Sequence, residues 1–269
     1  MKLYTRDFTE LNEDERQKWD SMQKDKKTII LPSEKCSDRT LPKGIRHFKT
    51  LFPNNYIDRY DLEFEKEINE EKLNKLKEIL AERESCNEQK ILKFIKENEA
   101  YFIIASILNN RYYFGHHGLF LFPEFELPLK YSVDYLIVGE NSHGFHFVFV
   151  ELERAYENIT ISGGEFGTTI RKGISQVTDW DSYLDENYSN LRTVFEKELK
   201  PCEALPREFY VYDKTRMHYV VIAGRRDDFR KDEKSNRLRR KYFEESKINI
   251  LHYDNLIELA ERSITIGSY

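Results

Sequence analysis

Three carboxylates interrupt the apolar runs on either side of the turn in VDYLIVGENSHGFHFVFVELE, residues 133–153: Asp134, Glu151 and Glu153. Tyr131 to Val138 and Phe145 to Leu152 are rich in β-branched and aromatic residues, and Gly139 to Gly144 carries turn chemistry, so the stretch predicts a hairpin. With the turn centred between Ser142 and His143, Asp134 faces Glu151, and opposed side chains on one sheet face have Cβ atoms about 4.5–5.5 Å apart. Side chains alternate along a strand, which puts Glu153 on the face of Glu151. Like charges at that spacing cost free energy unless something positive neutralises them, and a divalent cation with hard oxygen ligands is the usual answer. The competing reading is a strand that becomes polar as it leaves the core, with no chemistry attached.

The elements that must position these residues follow from periodicity. LNEDERQKWDSM has helical character, KTIILP (residues 27–32) predicts a short strand stopped by Pro32, and SEKCSDRTLPKG reads as loop. Glu63 to Ser85 places Ile68, Leu73, Leu76, Ile79 and Leu80 among dense Glu and Lys, a solvated amphipathic helix. Glu88 to Leu108 predicts two helices broken near Asn98. GLFLFPEFEL adds a strand whose Pro123 belongs at an edge or bulge, giving a three-stranded meander with the hairpin. NITISGGEFGTT is a Gly-rich loop with no following GK[ST], so it is not a P-loop. Thr168 to Glu186 predicts a helix capped by Thr168 or Thr169. Ile174, Val177 and Leu184 form its apolar stripe, and Lys172, Gln176, Asp179 and Tyr183 form another stripe at 3–4 spacing. EFYVYD and HYVVIAG predict two short strands, INILHYD another, and NLIELAERSI a closing helix.

The 269 residues give room for a sizeable core, and 34% charged with 14% aromatic residues describes a globular chain with a wet surface. A net charge of −5 means that a nucleic-acid partner needs a local basic patch. One exists: GRRDDFRKDEKSNRLRRKY contains Arg225, Arg226, Arg237, Arg239, Arg240 and Lys241, which also fits a solvated helix face. Cys36, Cys86 and Cys202 show no metal spacing and suit a reducing cytoplasm. No run approaches the roughly 18 apolar residues of a membrane span, and the N-terminus has no apolar leader, so a soluble intracellular protein is expected. His116–His117 reads as a surface pair, no Ser or Cys sits in a recognisable elbow, and Trp19 and Trp180 are too few for a glycosidase cleft built on the paired acids.

The order helix, three strands with acids on the second and third, helix, strand resembles the PD-(D/E)xK nuclease superfamily. PEFEL, VELER, ISQVTDWDSYL, VVIAGRR and ILHYDNLIEL, in that order, resemble the Shedu anti-phage defence family over roughly residues 88 to 265. The resemblance implies an α/β (α+β) fold: a restriction-endonuclease-like core with a mixed central sheet flanked by helices, and an N-terminal mainly helical region. Residues 1–87 would be a variable, possible sensing or regulatory part and residues 88–269 the nuclease-like domain. It further implies a metal-dependent DNA endonuclease in anti-phage defence, using Mg²⁺ or Mn²⁺ and forming a homo-oligomer. A non-catalytic relative that binds nucleic acid or a partner protein is the alternative.

On that resemblance Asp134 and Glu151 are the metal ligands, with Glu124 as an outer ligand and Glu126 as its rival one pleat period away. Glu153 stands where the superfamily carries Lys. Either Glu153 itself binds metal or acts as a base, or Lys172 restores the positive charge from the helix stripe it shares with Gln176, the family's helical Gln. Arg225, Arg226, Arg237, Arg239, Arg240 and Lys241 would contact the DNA backbone.

Overall fold

The central strands are near-continuous apolar runs, and such strands need cover on both faces. A computed structural model, which describes residues 1–28, 38–128 and 130–269, supplies that cover. Five strands, Gly118–Leu127 (β1), Tyr131–Asn141 (β2), Gly144–Leu152 (β3), Met217–Ile222 (β4) and Ile248–Leu251 (β5), form one sheet in the order β1-β2-β3-β4-β5. β1, β2 and β3 are an antiparallel meander, and β4 and β5 continue parallel to β3. The sheet is therefore mixed, as expected. Pairs such as Tyr135 with Val150 and Ile137 with Val148 give the hairpin the expected register. Pro123 lies on the edge strand.

Helices Glu13–Thr28 (α1), Lys43–Phe48 (α2), Arg59–Phe64 (α3), Lys66–Ala81 (α4), Glu88–Glu97 (α5) and Phe102–Ala105 (α6) precede the sheet. Thr168–Asn187 (α7) and Arg192–Glu198 (α8) follow the meander, and Arg226–Arg230 (α9), Glu233–Ser246 (α10) and Tyr253–Ile266 (α11) surround the parallel strands. Ile137, Val148, Val150 and Val220 pack on one face with Leu76, Ile95, Ile104 and Leu256 of α4, α5, α6 and α11. Phe147, Phe149, Tyr219 and Val221 pack on the other with Ile170, Val177, Trp180 and Leu184 of α7.

Both sheet edges are closed. Residues 55–57 pair with β1 through Ile57 N–H to Leu119 O at 2.8 Å and Leu121 N–H to Asn55 O at 2.9 Å. On β5 the Arg239 Nε donates to Ile250 O at 2.8 Å. Covering an edge in this way removes a template for strand addition.

Several expectations are corrected. EFYVYD is a 3-10 turn over Arg207–Phe209 followed by irregular chain, because Phe209 inserts among Phe52, Phe145, Phe147 and Phe195 instead of pairing in a ladder. Neither Thr168 nor Thr169 caps α7: Gly167 is the N-cap, and Thr169 Oγ1 donates to Glu157 O at 2.9 Å. A Cβ at Gly167 would lie 1.8 Å from Asn158 O, so no larger residue fits there. Ile68 is 52% exposed, off the buried stripe of α4. The closing helix begins at Tyr253, under a His252 cap. Most of the KTIILP strand lies outside the described residues, and its Lys27 and Thr28 end α1. Among the described residues, no helix is long and apolar enough to cross a membrane.

Trp180 is 1% exposed and is the largest side chain anchoring α7 to the sheet. Trp180→Ala is expected to cost about 3–5 kcal/mol, read from the midpoint of a urea melt. A loss below about 1 kcal/mol, the size of an ordinary substitution, would show that α7 is held elsewhere.

Candidate functional site

The acids gather where β2 and β3 part. The ladder between them ends at Tyr135 with Val150, one pair before Asp134 would oppose Glu151. Instead the Asp134 carboxylate accepts the Leu152 amide at 2.7 Å. Glu151 follows Phe147 and Phe149 in the alternation of β3, and Glu153 lies one pleat period further, both on the side covered by α7. Glu153 continues the parallel pairing, its amide donating to Ile222 O at 2.8 Å, and its own carbonyl accepts the Tyr253 hydroxyl at 2.7 Å. Glu151 and Glu153 are 4% and 2% exposed.

The approach of α7 depends on a missing side chain. A Cβ at Gly173 would meet Val221 Cγ1 at 2.6 Å and Glu153 Cγ at 3.2 Å. With glycine there, the preceding residue brings its ammonium to the acids: Lys172 Nζ lies 3.0 Å from Glu153 Oε1 and 3.2 Å from Oε2. Gln176, one turn on, has a buried Oε1 with no hydrogen-bond partner, and Glu153 Oε1 likewise accepts no hydrogen bond of good geometry.

Burial and mutual repulsion both favour protonated carboxyls here. Desolvation, followed by the charges of Glu88 and Glu153, pushes Asp134 up to about 7 despite the Leu152 amide. Desolvation with Asp134 and Glu153 pushes Glu151 to about 9. Glu153 is also raised, by burial first, with Lys172 opposing. Burial lowers the Lys172 ammonium, but its bond to Glu153 and the neighbouring acids outweigh this and raise it. Glu88, in the first turn of α5, acts on all four groups and was missed by sequence reasoning. Its residue type at a helix start looks like ordinary capping chemistry, and only the fold turns that helix end toward the acids.

The structure thus brings Asp134, Glu151, Glu153 and Lys172 together, with Gln176 one helical turn along. It does not bring Glu124 to them: that residue is exposed at φ 50 and its carboxylate binds Lys96 at 3.0 Å. Glu126 is also exposed. Among the described residues, no three Asp, Glu, His or Cys side chains form a ready ligand shell for a metal ion.

The six basic residues do not form one surface. Arg225 clasps Asp254 at 2.6 and 3.1 Å and also donates to Tyr156 Oη and Leu80 O. Arg226 binds Glu258, Arg240 binds Glu233 at 2.9 Å, and Lys241 lies 3.8 Å from Glu245. Arg239 is turned inward to the β5 edge. Arg237 alone of the six is exposed without an ion pair among the described residues. His116 and His117 are exposed and meet edge to face.

A mixed five-stranded sheet between helical layers, with a carboxylate cluster and one ammonium at a strand end, defines the class as an α/β protein with a polar site at the margin of its sheet. Residues 85–257 match the family model described as Shedu protein SduA, C-terminal. The chain belongs to the Shedu SduA family, and this membership points to anti-phage defence. No curated protein matches it.

The raised carboxyl values fix a pH dependence. Unfolded Asp and Glu titrate near 3.9 and 4.3. The folded chain keeps these protons to about 7 and 9, so their contribution to stability is complete below about 4 and is lost as pH rises toward 9. Glu151→Gln should therefore melt close to the parent near pH 4.5 and increasingly above it up to pH 9. A difference in melting temperature that stays flat across that range would contradict the burial of this charge.

Proposed function

We propose that this protein is a metal-dependent endodeoxyribonuclease of the PD-(D/E)xK type, acting in anti-phage defence. The observation that carries the reading is the convergence of Asp134, Glu151 and Glu153 on one partly buried patch, with Lys172 bound to Glu153. A purely structural strand end has no reason to collect three carboxylates whose charges oppose one another.

The residues fit a hard divalent cation. Mg²⁺ is typically held by one or two carboxylates with water and substrate phosphate completing the shell, so a preassembled set of three protein ligands is not required. Asp134 and Glu151 would hold the ion, Mg²⁺ or Mn²⁺. Such an ion supplies neutralisation of phosphate charge, an acidified water and stabilisation of the leaving oxygen. The Leu152 amide fixes the Asp134 carboxylate. Lys172 takes the place of the missing motif lysine, and its contact with Glu153 holds the ammonium beside the reacting phosphate. Gln176, one turn from Lys172 on α7, would in this reading touch phosphate or water through its side-chain amide. In this reading residues 1–87 are the sensing or regulatory part, and the protein works as a homo-oligomer on DNA.

The test is cleavage of duplex DNA by the purified full chain over a Mg²⁺ and Mn²⁺ titration. Asp134→Ala and Glu151→Ala should abolish cleavage while the fold persists. Lys172→Ala should cost about 10²–10³-fold, as for other groups that stabilise developing charge. If Glu153 instead serves a second metal, Glu153→Lys changes the metal requirement and Lys172→Ala matters little. Parental cleavage by Asp134→Ala would overturn the assignment. DNA binding without cleavage under any metal would establish the non-catalytic alternative.

A further inference from the structure

At the β5 edge of the sheet a cavity of about 200 Å³ opens beside α10. Arg111, Arg239 and Arg240 line it together with Asn236, Asn249 and Phe243, and among the described residues no carboxylate does. Buried Arg46 meets two acids, Asp58 and Asp61, and half-buried Arg239 could be expected to do the same. Arg239 does not. Its bonds go to Ile250 O at 2.8 Å, Asn255 Oδ1 at 3.0 Å and Asn236 Oδ1 at 3.4 Å, all uncharged acceptors, and part of its donor set stays unused. Burial, then the charges of Arg111 and Arg240, pull its guanidinium down to about 10.

Arg111 has no ion pair among the described residues, and its guanidinium lies 4.5 Å over the Phe243 ring. Its backbone is in the left-handed region, φ 69, which non-glycine residues adopt only when the surroundings hold them there. Among the described residues Arg240 is tied by an exposed bond to Glu233. Three like charges thus line one space, and among the described residues Arg111 and Arg239 have no carboxylate partner.

We propose that this cavity binds a phosphoryl group, with Arg111, Arg239 and Arg240 as its charge-assisted donors. A planar guanidinium fork matches phosphate oxygens, and several forks on one group give affinity that scattered lysines do not. The space suits a phosphate with part of a sugar and falls below the roughly 300–1,000 Å³ of clefts for larger ligands. Either a free nucleotide or a nucleic-acid backbone presents that group. Ile250 pairs with Val221, which pairs with Glu151, so the cavity borders the cross-sheet row of the acid cluster, two strands away. Its chemistry does not depend on cleavage at those acids.

The experiment titrates the full chain with inorganic phosphate, with a nucleoside monophosphate and with a labelled duplex, each at ionic strength matched with chloride. Arg239 also seals the sheet edge, so Arg111→Ala and Arg240→Ala are the informative variants, and their melting temperatures in chloride should equal that of the parent. Arg111→Ala should weaken binding by about tenfold or more, the loss expected for a charged hydrogen-bonding partner. Weakening for phosphate and monophosphate identifies a free nucleotide, and weakening for the duplex alone identifies the nucleic-acid backbone. Equal affinity of parent and both variants for every probe, or no binding by the parent, overturns the proposal. Arg111-dependent binding that persists in Asp134→Ala separates this site from the cleavage reading.

Discussion

The close contact of α7 with the sheet at Gly173 is the constraint on which the site depends. Val221 and Glu153 leave no room for a side chain there, so the helix settles against β3 and β4 at backbone distance. Trp180, Val177 and Leu184 then anchor the rest of the helix in the aromatic layer over Phe147 and Phe149. Lys172 and Gln176 flank that contact and are carried to the acids by it. A larger residue at position 173 would push the ammonium away from Glu153 and leave that carboxylate buried without a partner.

The electrostatics at the strand end are unbalanced in one direction. Asp134, Glu151 and Glu153, with Glu88 nearby, face a single ammonium, and burial has removed much of the water that would screen them. By contrast, buried Arg46 is matched by Asp58 and Asp61, and half-buried Arg225 by Asp254. Charge left uncompensated in a fold that compensates it elsewhere is a mark of a place where something else binds. The acid cluster and the arginine cavity are two such places among the described residues, and they have opposite signs.

Ion pairs and one sheet edge explain why so much of the basic segment is engaged within the chain. An open β5 would invite strand addition, and Arg239 closes it from α10. The opposite edge is closed by residues 55–57, which ties the N-terminal part of the chain to β1. The first device uses a guanidinium that looks, in a linear sequence, like surface chemistry, and the second uses backbone groups.

The hairpin and its acids were legible from the sequence because strand alternation and turn chemistry are local: residue types within about twenty positions set the register and put Asp134 near Glu151 and Glu153. The long helix after the Gly-rich loop was legible for the same reason, as was the placing of Lys172 and Gln176 one turn apart on it, although Tyr183 of the same stripe is buried in the core. Its cap was not, because the choice of Gly167 over Thr168 or Thr169 is made by Asn158 O, a group brought close by the folding of the loop. The EFYVYD segment has the alternation of a strand, yet burying Phe209 among four other phenylalanines overrides a weak local preference. Only the tertiary structure could bring Glu88 from α5 to the acids, send Glu124 to Lys96, turn Arg239 inward and set Arg111 beside it. Each of those outcomes is decided by contacts between residues far apart in the chain, whose packing no local pattern encodes.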